Sequence, residues 1–138
     1  MILIVAAQFD KSGNDVIEGL IASAIIVLES HKMSYKLVRV PGAVEIPIAV
    51  QRCVYADPKI DAVIALGCVI KGESDHYELV TQSVTQGLTA LALKLDLPVV
   101  QGVLACHNAG QATDRISLGD EFAQTALALL ETLPPRTR

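Results

Sequence analysis

The sequence predicts an α/β protein with a four-stranded parallel sheet covered by helices on both faces, that is, a three-layer α/β/α sandwich. Short apolar runs alternate along the chain with longer segments of helical periodicity, which is the pattern of parallel strands joined by crossover helices. Composition agrees, because 51% of the residues are hydrophobic but only 4% are aromatic. We therefore expect Ile, Val, Leu and Ala to fill the core.

Four segments have strand character, and three of them are short, nearly continuous apolar runs, whereas residues 35–40 alternate apolar residues with Lys36 and Arg39. Such runs are typical of strands that are buried on both faces of a sheet. Pro and Gly bound them, and Pro41-Gly42 ends the second one. The predicted strands are residues 2–7, 35–40, 61–70 and 99–105.

The intervening segments have apolar residues spaced three and four positions apart, which predicts helices with one buried face. Pro47 fits, because it falls in the first turn of the second helix, where a missing N–H group costs little. We expect one domain, residues 1–138, with a frayed tail from about residue 134. The predicted helices are residues 15–32, 44–55, 75–95 and 117 or 120 to about 133, with a short helical turn within 108–115.

Charge and cysteine content exclude several classes of protein. A net charge of −4 without a basic patch argues against binding to nucleic acid or to an anionic membrane. No apolar run reaches the roughly 18 residues of a membrane span. Cys53, Cys68 and Cys106 lack the spacing of a disulfide framework or a zinc ribbon. The N-terminus does not resemble a signal peptide, so we expect a cytoplasmic protein.

Functional residues are expected directly after the strands, because ligands of parallel sheets bind beyond the carboxyl ends of the strands. Phe9 follows the first strand, where it either folds back on the core or offers a flat surface for a planar ring. Glu45 follows the Pro-Gly turn. Its carboxylate either complements the dipole of the next helix or accepts hydrogen bonds from a polyol or an amine.

His76 occupies the first turn of the third predicted helix, within the stretch "GCVIKGESDHYELV". It is either a surface residue or a base, since the positive end of a helix favours a neutral imidazole that accepts a proton. Arg115 lies beyond the fourth strand and is either a solvated charge or a phosphate ligand. Cys106-His107 leaves open a metal site or a cysteine nucleophile.

Taken together, these stretches resemble the lumazine synthase family over nearly the whole chain. The motifs are "PGAVEIP" (41–47), "AVIALGCVIKGESDHYELV" (62–80), "PVVQGVLA" (98–105) and "QATDR" (111–115). The resemblance implies a flavodoxin-like fold and the condensation of 5-amino-6-(D-ribitylamino)uracil with 3,4-dihydroxy-2-butanone 4-phosphate. It also implies pentamers with active sites between subunits, and neither a metal nor an organic cofactor.

The resemblance also implies roles for individual residues. His76 shuttles protons, Arg115 neutralises the phosphate, Phe9 stacks on the pyrimidine and Glu45 binds ribityl hydroxyls. Gln101 stands where a neighbouring subunit of the family often supplies an aromatic side chain. The other substrate-binding residues that it implies are Ala43, Val44, Val69, Ile70, Gly72, Glu73 and Ser74.

Two departures from the family pattern keep other functions open. Gln101 is not aromatic, and Gly119-Asp120 replaces the usual lysine-glycine before the last helix. These changes suit a non-catalytic protein that binds a flavin or lumazine. A hydrolase that uses Cys68 or Cys106 with a histidine is a third hypothesis.

Overall fold

The computed structural model of the protein describes residues 1–9, 15–72 and 76–136. Strands and helices alternate as predicted, and the first two strands have the predicted bounds. The elements are β1 (Ile2–Ala7), α1 (Val16–Ser30), β2 (Tyr35–Val40), a 3₁₀ turn (Ala43–Glu45), α2 (Ile46–Ala56), β3 (Ala62–Ile70), α3 (His76–Leu95), β4 (Val99–Cys106), α4 (Ala109–Thr113) and α5 (Leu118–Thr132).

The four strands form one parallel sheet in the order β2-β1-β3-β4, which confirms the predicted fold class. β1 lies at the centre, where Ile2 is level with Tyr35 of β2 and with Ala62 of β3. Every residue of β1 is buried, as expected for a strand covered on both faces. The largest fully buried side chains are Ile, Leu and Val, so the prediction of an aliphatic core is confirmed.

Helices cover the two faces of the sheet in pairs that pack closely at glycines. α2 approaches α3 at Gly87, where an added Cβ would lie 3.0 Å from Cγ of Pro47. α1 approaches α5 at Gly119, where an added Cβ would collide with Ser23 and with the carbonyl of Leu20. A larger residue at position 119 would therefore separate these two helices.

The start of α2 differs from the prediction. A helix was expected from residue 44, but Ala43–Glu45 form a 3₁₀ turn and α2 begins at Ile46. The reason is Pro47, which has no N–H group to give to the Ala43 carbonyl in the i→i+4 pattern. That carbonyl accepts the Ile46 N–H instead, and the shorter bond tightens the turn.

The C-terminal segment packs at the end of the sheet where the strands begin. Arg136 donates to the carbonyl of Ile60 at 3.1 Å and to that of Leu95 at 3.4 Å. The amino group of Met1 pairs with Asp61 at 2.8 Å at the same end. Arg136 thus has hydrogen-bond partners at this end, and residues 137 and 138 of the expected tail lie outside the described part of the chain.

Candidate active site

A cavity of about 430 Å³ opens at the carboxyl edge of the sheet. It lies between the ends of β1 and β3, the 3₁₀ turn and the first turn of α3, which is where a parallel sheet is expected to bind its ligand. Its walls are mainly apolar. They are formed by Phe9, Gly42, Ala43, Val44, Glu45, Cys68, Val69, Ile70, Gly72, His76, Tyr77 and Val80.

Backbone hydrogen bonds fix Phe9 at the cavity. The N–H of Gln8 donates to the carbonyl of Val40 at 2.7 Å, and that of Phe9 donates to Pro41 at 2.9 Å. These bonds continue the β1–β2 pairing beyond the strands and place the phenyl ring beside the 3₁₀ turn. The ring is 62% exposed, so it presents a flat apolar surface rather than filling the core.

The 3₁₀ turn supplies a carboxylate and an apolar side chain to the same wall. The Glu45 N–H donates to the Gly42 carbonyl at 3.2 Å, which closes the turn. The Glu45 carboxylate lies back over Gly42, since a Cβ added there would be 3.5 Å from Oε1. Val44 is 51% exposed beside it. The turn therefore offers a hydrogen-bond acceptor next to an apolar surface.

The end of β3 provides accessible backbone. Val69 and Ile70 are half-buried, and the Lys71 N–H donates to the Cys106 carbonyl at 2.8 Å, which ties β3 to β4 at this edge. Among the described residues, no atom beyond the chain neighbours lies within 4 Å of a Cβ added to Gly72, so a ligand can approach its backbone closely. Glu73 and Ser74, which were expected to contact phosphate, lie outside the described residues.

The first turn of α3 contributes His76, Tyr77 and Val80 to the cavity. The rings of Tyr77 and His107 lie 6.5 Å apart between centroids, so that Tyr77 connects this wall to the end of β4. Tyr77 and Val80 were not predicted from the sequence, although Val80 is one helical turn after His76. Cys68 was predicted only as an alternative nucleophile, and it lines the cavity on the same strand face as Ile70, because side chains alternate along a strand.

Gln101 and Arg115 lie outside this cavity. Gln101 donates from Nε2 to Thr85 Oγ1 at 3.1 Å, and its Oε1 accepts from the Val103 N–H at 2.9 Å. Arg115 donates from Nη1 to Cys106 Sγ at 3.1 Å. Both residues lie on the β4 side of the sheet, Gln101 within the strand and Arg115 after it. The cavity of a single chain therefore gathers the other described site residues but not these two.

The cavity combines mainly apolar walls with the Glu45 carboxylate and the His76 imidazole. In residues 1–9, 15–72 and 76–136, His, Cys, Asp and Glu form no cluster of three or more that could hold a metal ion. The helices of the same residues include none that is both long and apolar enough to cross a membrane. An apolar cavity with a carboxylate and an imidazole can hold a planar ring and move protons at its edge.

Known proteins resemble this chain over nearly its whole length. The sequence model of the family described as 6,7-dimethyl-8-ribityllumazine synthase matches residues 1–134. Three relatives carry the same description. The one from Leuconostoc mesenteroides subsp. mesenteroides is 38% identical over 137 residues, which cover 96% of this chain and 85% of the relative.

The relative from Thermobifida fusca is 41% identical over 123 residues, or 86% of this chain and 71% of that protein. The one from a Polaromonas species is 37% identical over 131 residues, or 94% of this chain and 84% of that protein. The family match extends across every described element of the fold. The chain therefore belongs to the 6,7-dimethyl-8-ribityllumazine synthase family.

Proposed function

We propose that the protein is a transferase that condenses 5-amino-6-(D-ribitylamino)uracil with 3,4-dihydroxy-2-butanone 4-phosphate. The products are 6,7-dimethyl-8-ribityllumazine, phosphate and water, and the reaction is the penultimate step of riboflavin biosynthesis. The observation that carries the proposal is the cavity itself. In a chain of this family, Phe9, Glu45 and His76 line one apolar cavity at the carboxyl edge of the sheet.

The proposed arrangement of the pyrimidine substrate follows the walls of the cavity. The ring stacks on Phe9 and meets the backbone of Val69 and Ile70, while Ala43 and Val44 supply apolar contact. The ribityl chain extends towards Glu45, whose carboxylate accepts hydrogen bonds from hydroxyl groups. The phosphate of the second substrate lies at the backbone of residues 72–74, before the N-terminus of α3.

The reaction needs proton transfers and charge stabilisation rather than a cofactor. The amine attacks the ketone and water leaves as the imine forms. Phosphate is then eliminated, and the ribityl-bearing nitrogen attacks the remaining carbonyl, which closes the ring with loss of a second water. His76 lines the cavity and moves protons during these steps. Holding the two reactants side by side supplies much of the acceleration, so we expect loss of the imidazole to be milder than loss of a phosphate ligand.

We propose that a neighbouring subunit of a homopentamer completes the site with Gln101 and Arg115. Two observations support this: both residues lie outside the cavity that gathers the others, and Val44, Ile48 and Leu79 leave large apolar side chains exposed on and near its walls. Exposed apolar groups of this kind mark subunit contacts. We also propose a cytoplasmic location, since the three cysteines form no disulfide.

The direct test of the function is to mix the purified protein with both substrates and to follow the fluorescence of lumazine. The wild-type protein is expected to form it. His76→Ala should lower kcat modestly, whereas Arg115→Ala should raise KM for the butanone phosphate more strongly. Folded, oligomeric wild-type protein that releases no lumazine would reject the proposed activity.

Mixed oligomers test whether the site spans two subunits. The double variant Glu45→Ala, His76→Ala disables the cavity, and Arg115→Ala disables the neighbour's contribution. When equal amounts are unfolded and refolded together, about a quarter of the sites should combine an intact cavity with an intact arginine, as a head-to-tail ring requires. If the mixture is no more active than the two variants refolded separately and added together, each site is built from one chain.

A further inference from the structure

Arg115 is attached to the rigid edge of the sheet through a thiol. Its Nη1 donates to Sγ of Cys106 at 3.1 Å. Cys106 is the last residue of β4 and is 1% exposed. Its backbone is level with Ile70 of β3, and its carbonyl accepts the Lys71 N–H at 2.8 Å. The sulfur is therefore a fixed acceptor, while the arginine that it holds is exposed.

The thiol orders the guanidinium without neutralising it. Within the described ranges, the ion pairs join the amino group of Met1 to Asp61 and Arg39 to Glu18, and none involves Arg115. A thiol is a weak, uncharged acceptor that occupies one of the five N–H donors of arginine. The positive charge and the other donors remain available for an oxyanion, whereas a carboxylate in the same place would compete with it.

We propose that Cys106 is a positioning residue that holds the Arg115 guanidinium ready for the phosphate of the butanone substrate. The inference rests on the proposed function, because it takes the phosphate from that reaction. A guanidinium ordered before binding loses less side-chain freedom when the phosphate arrives. Cys106 therefore acts on the affinity for the phosphorylated substrate through Arg115, and it touches neither substrate itself.

Two substitutions separate positioning from packing. Cys106→Val keeps an apolar side chain, one heavy atom larger than that of cysteine, but has no acceptor, and Cys106→Ser keeps an acceptor at the same place. The KM for each substrate, kcat, and inhibition by inorganic phosphate are measured for both variants. Circular dichroism checks that they fold, and Cys106→Ala replaces the valine variant if it does not.

Because the thiol is a weak acceptor, its loss is expected to have the effect of an ordinary hydrogen bond: Cys106→Val should raise the KM for the butanone phosphate and the inhibition constant of phosphate together, by about 3- to 10-fold. The KM for the pyrimidine should not change, and Cys106→Ser should stay within about twofold of the wild type. In the Arg115→Ala background, Cys106→Val should have no further effect, because the two residues act as one unit.

Three results would overturn the inference: unchanged values in Cys106→Val, an equal rise in the KM for both substrates, or full additivity with Arg115→Ala. The proposed function has a separate test: it is rejected if the wild-type protein produces no lumazine from the two substrates. In that case the binding of inorganic phosphate to wild type and Cys106→Val, followed by calorimetry, still decides whether Cys106 positions Arg115. Equal affinities would reject it, and weaker binding to the variant would support it.

Discussion

The substitution Phe9→Ala separates binding from stability. In the free protein the phenyl ring is 62% exposed, so its removal takes little apolar surface out of the core. The free energy of unfolding should therefore change by no more than about 0.5 kcal/mol. When the pyrimidine is bound, the ring is covered, and aromatic stacking contributes about 0.5–1.5 kcal/mol beyond the buried area.

A loss of that size corresponds to roughly a 2- to 13-fold weaker complex, because 1.4 kcal/mol is about tenfold in affinity. Calorimetry with the pyrimidine substrate measures it, and urea denaturation measures the stability of the same samples. Ile26→Ala is the matched control, because Ile26 is an equally exposed apolar residue, 68%, on α1. Unchanged affinity in Phe9→Ala, or a loss of affinity equal to that in Ile26→Ala, would refute the stacking role.

Three further substitutions test the fold. Gly102→Ala places a Cβ 2.6 Å from a strand carbonyl oxygen and should lower the free energy of unfolding, measured by urea denaturation, by about 1–3 kcal/mol. Gly72→Ala is the control, because an added Cβ there meets no atom of a non-adjacent described residue within 4 Å, and it should cost almost nothing. Equal losses would contradict the packing argument. Arg136→Ala removes two hydrogen bonds to backbone carbonyls and should lower the free energy of unfolding by about 1–2 kcal/mol. The control Arg52→Ala, on the exposed face of α2, should not lower it. If Arg136→Ala has the Tm of the wild type, the C-terminal segment contributes no stability. Glu18 accepts hydrogen bonds from Arg39, and this contact lowers the pKa of the Glu18 carboxyl below its ordinary value of 4.5. The pair therefore stabilises the fold above pH 4.5, and this stabilisation is lost as the pH falls through the lowered pKa. Because both side chains are partly solvated, Glu18→Gln should cost less than about 1 kcal/mol at pH 7, and a difference from the wild type that grows towards pH 3 would contradict the assignment.

The strands could be predicted from the sequence because each is a short segment between strong breaks, and because β1, β3 and β4 are largely apolar. Residues 2–7 and 35–40 match β1 and β2 at both ends, since polar or Pro-Gly residues follow at once. The ends of helices and strands that depend on individual backbone hydrogen bonds were harder to predict. The 3₁₀ turn before α2 follows from the N–H group that Pro47 lacks, and β4 extends to Cys106 because that residue pairs with Ile70 of a neighbouring strand.

The sequence predicted which edge of the sheet holds the candidate site, but not all of the residues that line it. Residues directly after strands, such as Phe9 and Glu45, carry their position in the sequence, and they do line the cavity. Tyr77 and Cys68 lie inside a helix and a strand, where core packing is the usual role, so only the fold shows that they face the cavity. The contact of Arg115 with Cys106 joins residues nine positions apart, and no spacing rule predicts it.

A crystal structure with bound 6,7-dimethyl-8-ribityllumazine tests the central claim most directly. The ring system should lie on Phe9 between the 3₁₀ turn and the end of β3, with the ribityl chain reaching Glu45 and His76 beside the newly closed ring. The claim would be contradicted by a ligand bound elsewhere, for example in the groove lined by Leu97 and Leu129 at the opposite end of the sheet, with the cavity at Phe9 empty.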